Sequence, residues 1–279
     1  MSTKTVSLTN ILMAEATSPR CDLFWNNEIL NTLRLKEKGL LAPFHPPHAG
    51  DLPESFRAAD GTWYGFAARA RVLIVNKHLV SESERPKTMA ELAEPKWKGR
   101  LGMAKPLFGT TATHAACLFS AWGEEKATAY FRALKANNIL ILSGNKQVAT
   151  DVGAGKIAVG MTDTDDAIGE LEAGSPVAII YPDCTPDGMG TLFIPNTLCM
   201  LKGAPDPKDA EALASYLLSP EAEATLAGGP SAQIPLLKTT QAPSRVETPQ
   251  TIHAMSVDFE AAAKLWDKVA DFLNAEFSS

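Results

Sequence analysis

Residues 101–122 read Leu101-Gly-Met-Ala104, Lys105-Pro-Leu-Phe-Gly109, then Thr110-Thr-Ala-Thr-His-Ala-Ala-Cys-Leu-Phe-Ser-Ala-Trp122. The first four residues form a short apolar run of strand type, the next five carry turn chemistry, and the stretch from Thr111 has helical length. A strand delivered straight into a helix is the repeating unit of layered α/β architecture. The same unit recurs downstream. A second helix is predicted over Glu124–Ala136, a strand over Ile139–Leu142, and a short helix over Asn145–Val152 stopped by Gly153. A strand over Ile157–Met161, a helix over Thr164–Ala173 and a strand over Val177–Tyr181 follow.

Outward from this centre the pattern holds less regularly. Upstream, Trp63–Asn76 reads as extended chain running into a buried strand, preceded by a loop marked by Pro43, Pro46, Pro47, Gly50 and Pro53. Asp22–Trp25 is a short strand, followed from about Glu28 by a helix with Gly39 at its stop. A polar decapeptide leads into a helix over Leu8–Ala16, with no earlier strand for it to cross from; loss of one βαβ unit, roughly 30 residues, accounts for this start. Downstream, Leu192–Leu201 contains Pro195, which predicts an edge or bent strand. Ala210, Leu213, Ala214 and Leu217 recur at helical spacing between Pro205 and Pro220, and Phe259, Ala262, Trp266, Val269 and Leu273 do so near the C-terminus.

Composition narrows the function classes. A chain of 279 residues exceeds the comfortable size of one hydrophobic core, so two lobes are expected. A net charge of −6 and the lack of a basic run argue against nucleic acid. No stretch of about 18 apolar residues exists to span a bilayer, and Met1-Ser-Thr-Lys-Thr lacks the parts of a secretion signal. The four cysteines form no CxxC pair, and Cys117 and Cys199 read as buried free thiols. The five histidines are scattered; His45 and His48 lie three apart in the proline-rich loop and read as surface residues. No GxSxG, HExxH, Walker or dinucleotide glycine pattern is present, which points away from an enzyme.

Three strand-to-helix junctions remain as candidate chemistry, the place where open α/β sheets hold ligands. At Phe24-Trp-Asn-Asn-Glu28, the amides of Asn26 and Asn27 are candidates, with helix capping by Asn27 as the alternative role. At Gly109-Thr110-Thr111, a glycine allows close backbone approach and two hydroxyls stand at a helix N-terminus, a combination suited to an anion; one of the threonines also suffices to cap the helix. At Thr162-Asp163-Thr164-Asp165-Asp166, two aspartates suit a first helical turn. The density of carboxylate makes Asp163 and Asp165 candidates for a hard cation or an amine.

Several stretches together resemble the bacterial periplasmic solute-binding proteins of the ferric-iron-binding type. They are Cys21–Trp25 with Gly39-Leu-Leu-Ala-Pro43, Trp63–Asn76, Glu94-Pro-Lys-Trp-Lys-Gly-Arg-Leu-Gly102, and Leu201-Lys-Gly-Ala-Pro205 with the helix after it. The resemblance implies an α/β type II periplasmic-binding-protein fold with two lobes joined by two crossing strands. Lobe 1 would take residues 1–70 plus 193–240, truncated at its N-terminus, and lobe 2 residues 71–192 plus 241–279. It implies anion contacts from Gly109, Thr110, Thr111, Asn145 and Thr162, with Arg69 beside the anion. The family's two iron-binding tyrosines fall on Thr164 and Asp165, and its carboxylate on Asn27. Phenolates for ferric iron are thus missing, and a metal site here would use Asp163 and Asp165.

The expected protein is a monomeric, non-enzymatic component of a bacterial ABC importer, periplasmic as the resemblance implies. It closes by a hinge on a small anionic, zwitterionic or metal-containing solute and then docks on an inner-membrane permease. No resident cofactor is expected; a metal ion enters only as part of the transported solute. A cytoplasmic ligand sensor and an enzyme on the same two-lobed scaffold are the alternatives.

Overall fold

The computed structural model describes residues 5–277. The chain divides into two compact units. Unit 1 holds the described residues up to Ala68 together with Ile194–Arg245; unit 2 holds Arg69–Phe193 and the described residues from Val246. The chain passes between units inside two strands, β3 (Trp63–Asn76) and β8 (Phe193–Leu201), and once more after Arg245.

Unit 1 opens with α1 (Thr5–Ala14), β1 (Leu23–Asn26), α2 (Leu30–Glu37) and β2 (Leu41–Ala42). Its part of β8 is flanked on both sides. β1 pairs antiparallel with it from Leu23↔Met200 to Asn26↔Thr197, and β2 pairs at Leu41↔Leu201 and Ala42↔Met200. The expected edge strand is therefore an interior one. Pro195 is compatible with this because it lies before the stretch paired with β1, which begins at Thr197, so it removes no hydrogen bond of that ladder. α7 (Pro207–Leu217) and α8 (Pro220–Gly228) both start on proline, and both are capped by a side chain, Asp206 and Ser219 respectively.

Unit 2 is built on a sheet of order β7-β3-β6-β4-β5, from β4 (Leu101–Ala104), β5 (Leu140–Leu142), β6 (Val159–Asp163) and β7 (Val177–Ile180). β4 runs parallel to both β5 and β6, whereas β3 is antiparallel to β6 and β7. Each of the three parallel strands feeds a helix. β4 leads to α3 (Gly109–Trp122), β5 to α5 (Asn145–Gly153), and β6 to α6 (Thr164–Glu172). α3 is buried from Thr110 to Phe119 because α4 (Glu124–Ala136) and α9 (Phe259–Phe277) cover it, with Phe119 edge-on to Phe272 and stacked on Phe131. Cys117 and Cys199 are buried free thiols, as expected. Among the described residues no helix is long and apolar enough to cross a membrane.

One glycine sets the height of α5 above the sheet. A Cβ at Gly160 on β6 would run into Val148, and would stand 3.0 Å from Val152 and 3.2 Å from Ile74. Both valines belong to α5, so the helix lies directly on the strand backbone, and this fixes the position of Asn145 at the helix start. Gly160→Val is expected to destabilise unit 2 by about 1–3 kcal/mol through overpacking, read as a lower denaturant midpoint in urea unfolding.

Candidate functional site

The ends of β4, β5 and β6 bring three helix N-termini to one side of unit 2. None of the three has a side-chain cap: the capping positions are Phe108 for α3, Gly144 for α5 and Asp163 for α6, with no cap hydrogen bond at any of them. The capping role considered for Thr110 or Thr111 is therefore not the observed one. Gly109 opens α3 at φ +62° with open space where a Cβ would sit, so its glycine is demanded by backbone conformation, not by crowding.

At the centre is a residue that the sequence motifs do not single out. Arg71 lies directly opposite Asp163 in the β3–β6 register and is 1% exposed. Its Nη1 donates to Asp163 Oδ1 at 2.7 Å and to Thr110 Oγ1 at 3.2 Å; its Nε donates to His114 Nδ1 at 3.3 Å. Its Nη2 is buried without a hydrogen-bond partner. Because His114 Nδ1 accepts, the neutral ring carries its proton on Nε2. Burial first, and the Arg71 charge second, hold His114 well below the ordinary imidazole range.

The remaining expected residues gather around this pair. Asp163 Oδ2 accepts from Thr110 Oγ1 at 2.5 Å and from Asn145 Nδ2 at 2.8 Å. Asn145 Nδ2 also donates to Thr110 Oγ1 at 2.8 Å, and Asn145 Oδ1 accepts from Thr111 Oγ1 at 3.0 Å. Thr162 is fully buried and donates to the Asn145 carbonyl at 3.1 Å. The hydroxyls and amide expected to face an anion are thus engaged with one another, tying the starts of α3, α5 and α6 into one frame. Besides these side chains, the first turn of each helix has backbone N–H donors that no intrahelical acceptor can satisfy.

Beside the frame sits the acidic half. Asp165 and Asp166 occupy the first turn of α6, as the spacing predicted. One carboxylate oxygen from each of Asp163, Asp165 and Asp166 lies within 4.8 Å of the others, a geometry able to hold a cation. Arg69 Nε approaches Asp165 Oδ2 at 3.4 Å, while Asp165 Oδ1 is buried without a hydrogen-bond partner. Burial raises the Asp165 carboxyl, with Arg69 opposing and Asp163 adding to the shift. Asp166 is pushed up to about 7, mainly by burial and then by the charges of Asp165 and Asp163. Asp163 differs from its neighbours, since Arg71, Thr110 and Asn145 already claim its oxygens. Asp165 and Asp166 are the carboxylates with capacity left.

The unit 1 candidates are placed differently. Asn26 is buried, and its amide donates to Glu28 Oε1 at 2.9 Å and to Thr32 Oγ1 at 3.1 Å, so it braces the β1–α2 turn. Asn27 is exposed on that turn. It does not cap α2: Ile29 holds the capping position, and the Glu28 carboxylate accepts the Leu30 N–H at 2.5 Å and the Asn31 N–H at 3.1 Å. Of the residues overlooked in the sequence, Arg71 had one legible signal: an arginine inside the otherwise apolar run Ala70–Val75 requires a buried partner. His114 falls four residues after Thr110, one turn along the same face of α3.

A model of the bacterial extracellular solute-binding protein family matches residues 4–254. Iron uptake protein A1 of Synechocystis sp. is 28% identical over 77% of this chain and 62% of its own length. A putative 2-aminoethylphosphonate-binding periplasmic protein of Salmonella typhi is 26% identical over 76% of this chain and 61% of its own length. The chain thus spans less than two thirds of these relatives. Among solved structures, iron-bound HitA of Pseudomonas aeruginosa superposes with a TM-score of 0.86 at 23% identity, covering 96% of this chain and 87% of that one. Apo FutA2 of Synechocystis gives 0.84 at 20% identity, covering 98% and 90%. The fold is the α/β type II periplasmic-binding-protein fold that the resemblance implied.

Two outcomes follow from the buried frame. Arg71→Met should cost roughly 3–5 kcal/mol, because it leaves Asp163 as a buried charge without its cation. The double variant Arg71→Met with Asp163→Asn should lose less than the two singles summed, in denaturant unfolding. Asp166 gives a pH signature. Its folded-state value of about 7 lies above the ordinary 3.8, so the folded form holds a proton that the unfolded form releases. That stabilisation is full below about pH 4 and is lost as pH rises through about 7. Asp166→Asn should flatten this part of the stability profile between pH 4 and 7.

Proposed function

The chain belongs to the family of bacterial extracellular solute-binding proteins, and from that membership and the unit 2 frame we propose that it is the solute-binding component of an ABC importer. It acts in the periplasm, is a binding protein and not an enzyme, and passes its solute to a membrane permease. The solute carries an oxyanion group held by the starts of α3, α5 and α6, and a cationic part held by Asp165 and Asp166.

The observation that carries this reading is the contrast in capping. α7 and α8 are capped by their own side chains, whereas the three helices that converge in unit 2 are not. Uncapped N–H groups at the carboxyl ends of parallel strands, with the positive ends of three helix dipoles behind them, favour an anion. The adjacent aspartates favour a positive charge at the same site. A solute with both features, such as an aminoalkylphosphonate, satisfies the two halves together. Binding works by selecting the conformation that makes both sets of contacts, which is how such a protein signals occupancy to its permease.

A second reading keeps the anion half and replaces the amine by a hard metal cation. It is supported by the 4.8 Å grouping of the three aspartates. Thr164 and Asp165 stand at the family's tyrosine positions, and the Thr164 hydroxyl accepts the Ala70 N–H at 3.1 Å. Carboxylate oxygens are hard ligands without the ferric preference of phenolates, so this reading does not single out iron.

Thermal unfolding separates the two. Under the first reading 2-aminoethylphosphonate raises the melting temperature, by mass action on the folded state. It should bind at least tenfold more tightly than ethylphosphonate, which lacks the amine, and Asp165→Asn should erase that difference. A shift with ferric citrate but with neither phosphonate would establish the metal reading instead. No shift with any of these ligands or with phosphate would sink both.

A further inference from the structure

The proline-rich loop that unit 2's solute frame leaves unexplained borders an open recess of about 510 Å³ wholly within unit 1, lined by His45, Glu54, Arg57, Tyr64 and a set of small residues. That volume lies in the range of small-molecule sites. The room exists because Ala49, Ala58, Ala59 and Gly61 line the rest of it. Gly61 is also conformationally required: its φ is +72°, and a Cβ there would meet the His45 ring at 3.2 Å and the Tyr64 hydroxyl at 3.3 Å.

The walls are held by unit 1 itself. Tyr64 Oη donates to the Phe44 carbonyl at 2.7 Å, and the two rings pack edge-on with centroids 5.0 Å apart. Phe44 N–H donates to Gly61 O at 3.0 Å, Gly61 N–H to Ala58 O at 3.1 Å, and Ala58 N–H to Trp63 O at 3.0 Å. Arg57 forms a bridge with Tyr64, and its Nη1 donates to the Ala49 carbonyl at 3.3 Å. A guanidinium is thereby anchored at one corner while its other donors remain available.

The charges in this recess are complementary and separate. Glu54 and Arg57 are three residues apart and line the same cavity, yet no ion pair joins them among the described residues. Two opposite charges that line one recess without pairing with each other are matched by a ligand carrying both signs. Arg57 offers a bidentate fork for a carboxylate, Glu54 an acceptor for an ammonium group, and His45 and Tyr64 add polar edges between them. We propose that this recess is a second ligand site, separate from the solute frame of unit 2, for a small zwitterion of the amino-acid or short-peptide class.

Saturation-transfer NMR and calorimetry on the full chain test this with L-alanyl-L-alanine and L-alanine as probes, and with acetate and methylammonium as single-charge controls. At least one zwitterion should bind, at least tenfold more tightly than either control. Arg57→Gln and Glu54→Gln should each weaken it tenfold or more, while Asp165→Asn in unit 2 leaves it unchanged. Glu54 is exposed, so its substitution reads binding without a folding loss. The proposal is overturned if neither zwitterion binds, if acetate binds as well as the zwitterions, if both loop variants bind normally, or if Asp165→Asn abolishes binding.

Discussion

The buried pair of Arg71 and Asp163 is the constraint on which the rest of unit 2 depends. Removing two charges from water costs several kcal/mol each, and their attraction repays this only when every other polar atom nearby is well placed. The neighbours of the pair answer most of that demand: Thr110 and Asn145 complete the carboxylate and neutral His114 accepts from the guanidinium, while Arg71 Nη2 stays buried without a hydrogen-bond partner. Those partners come from α3 and α5, and Asp163 itself ends the strand leading into α6, so three helix starts meet at the pair. A pair of apolar residues would fill the same space at lower cost but would not specify where three helices begin. The pair is thus a positional device, and its geometry sets the spacing of the three N-termini.

The same logic explains the acidic excess beside it. Three helix N-termini, each worth roughly half a positive charge, together with Arg69 and Arg71 make a strongly positive corner. Asp163 neutralises Arg71 directly, and Asp165 sits against Arg69. Asp166 is the carboxylate with the weakest claim on a cation, which is why burial and its two acidic neighbours push it up to about 7. This balance of charge is what the proposed reading uses, an anion at the backbone N–H groups and a cation at the α6 side chains. Neither would be favoured at a helix start capped in the ordinary way, as α7 and α8 are by Asp206 and Ser219.

The fold was legible because its determinants are local. Leu101–Ala104 running into Gly109–Trp122, and the period of Phe259, Ala262, Trp266, Val269 and Leu273, are patterns that a short window contains. Pro195 misled as to the edge because the effect of proline depends on which N–H groups pair, and pairing with β1 starts only at Thr197. The alternative capping roles of Asn27, Thr110 and Thr111 fail for a related reason. A capping residue type is a local preference, whereas Glu28 and Asp163 won the relevant hydrogen bonds through contacts set by tertiary structure. Arg71 was hidden more deeply. Its partner lies 92 residues away, and only the β3–β6 register brings the two face to face.

This division bears on what fold similarity conveys about ligand. The strands and the helix starts belong to the fold, and backbone N–H groups at helix starts favour an anion whatever the side chains are. The cationic half is set by side chains alone, at positions 163–166. With Thr164 and Asp165 at the positions that the resemblance gives to tyrosine, the proposed site offers carboxylate oxygens where phenolate oxygens were expected. A solute recognised through carboxylates must bring its own positive charge and can be an amine as readily as a metal. Under the proposed function, specificity therefore turns on a handful of atoms at the start of α6 more than on the overlap of backbones.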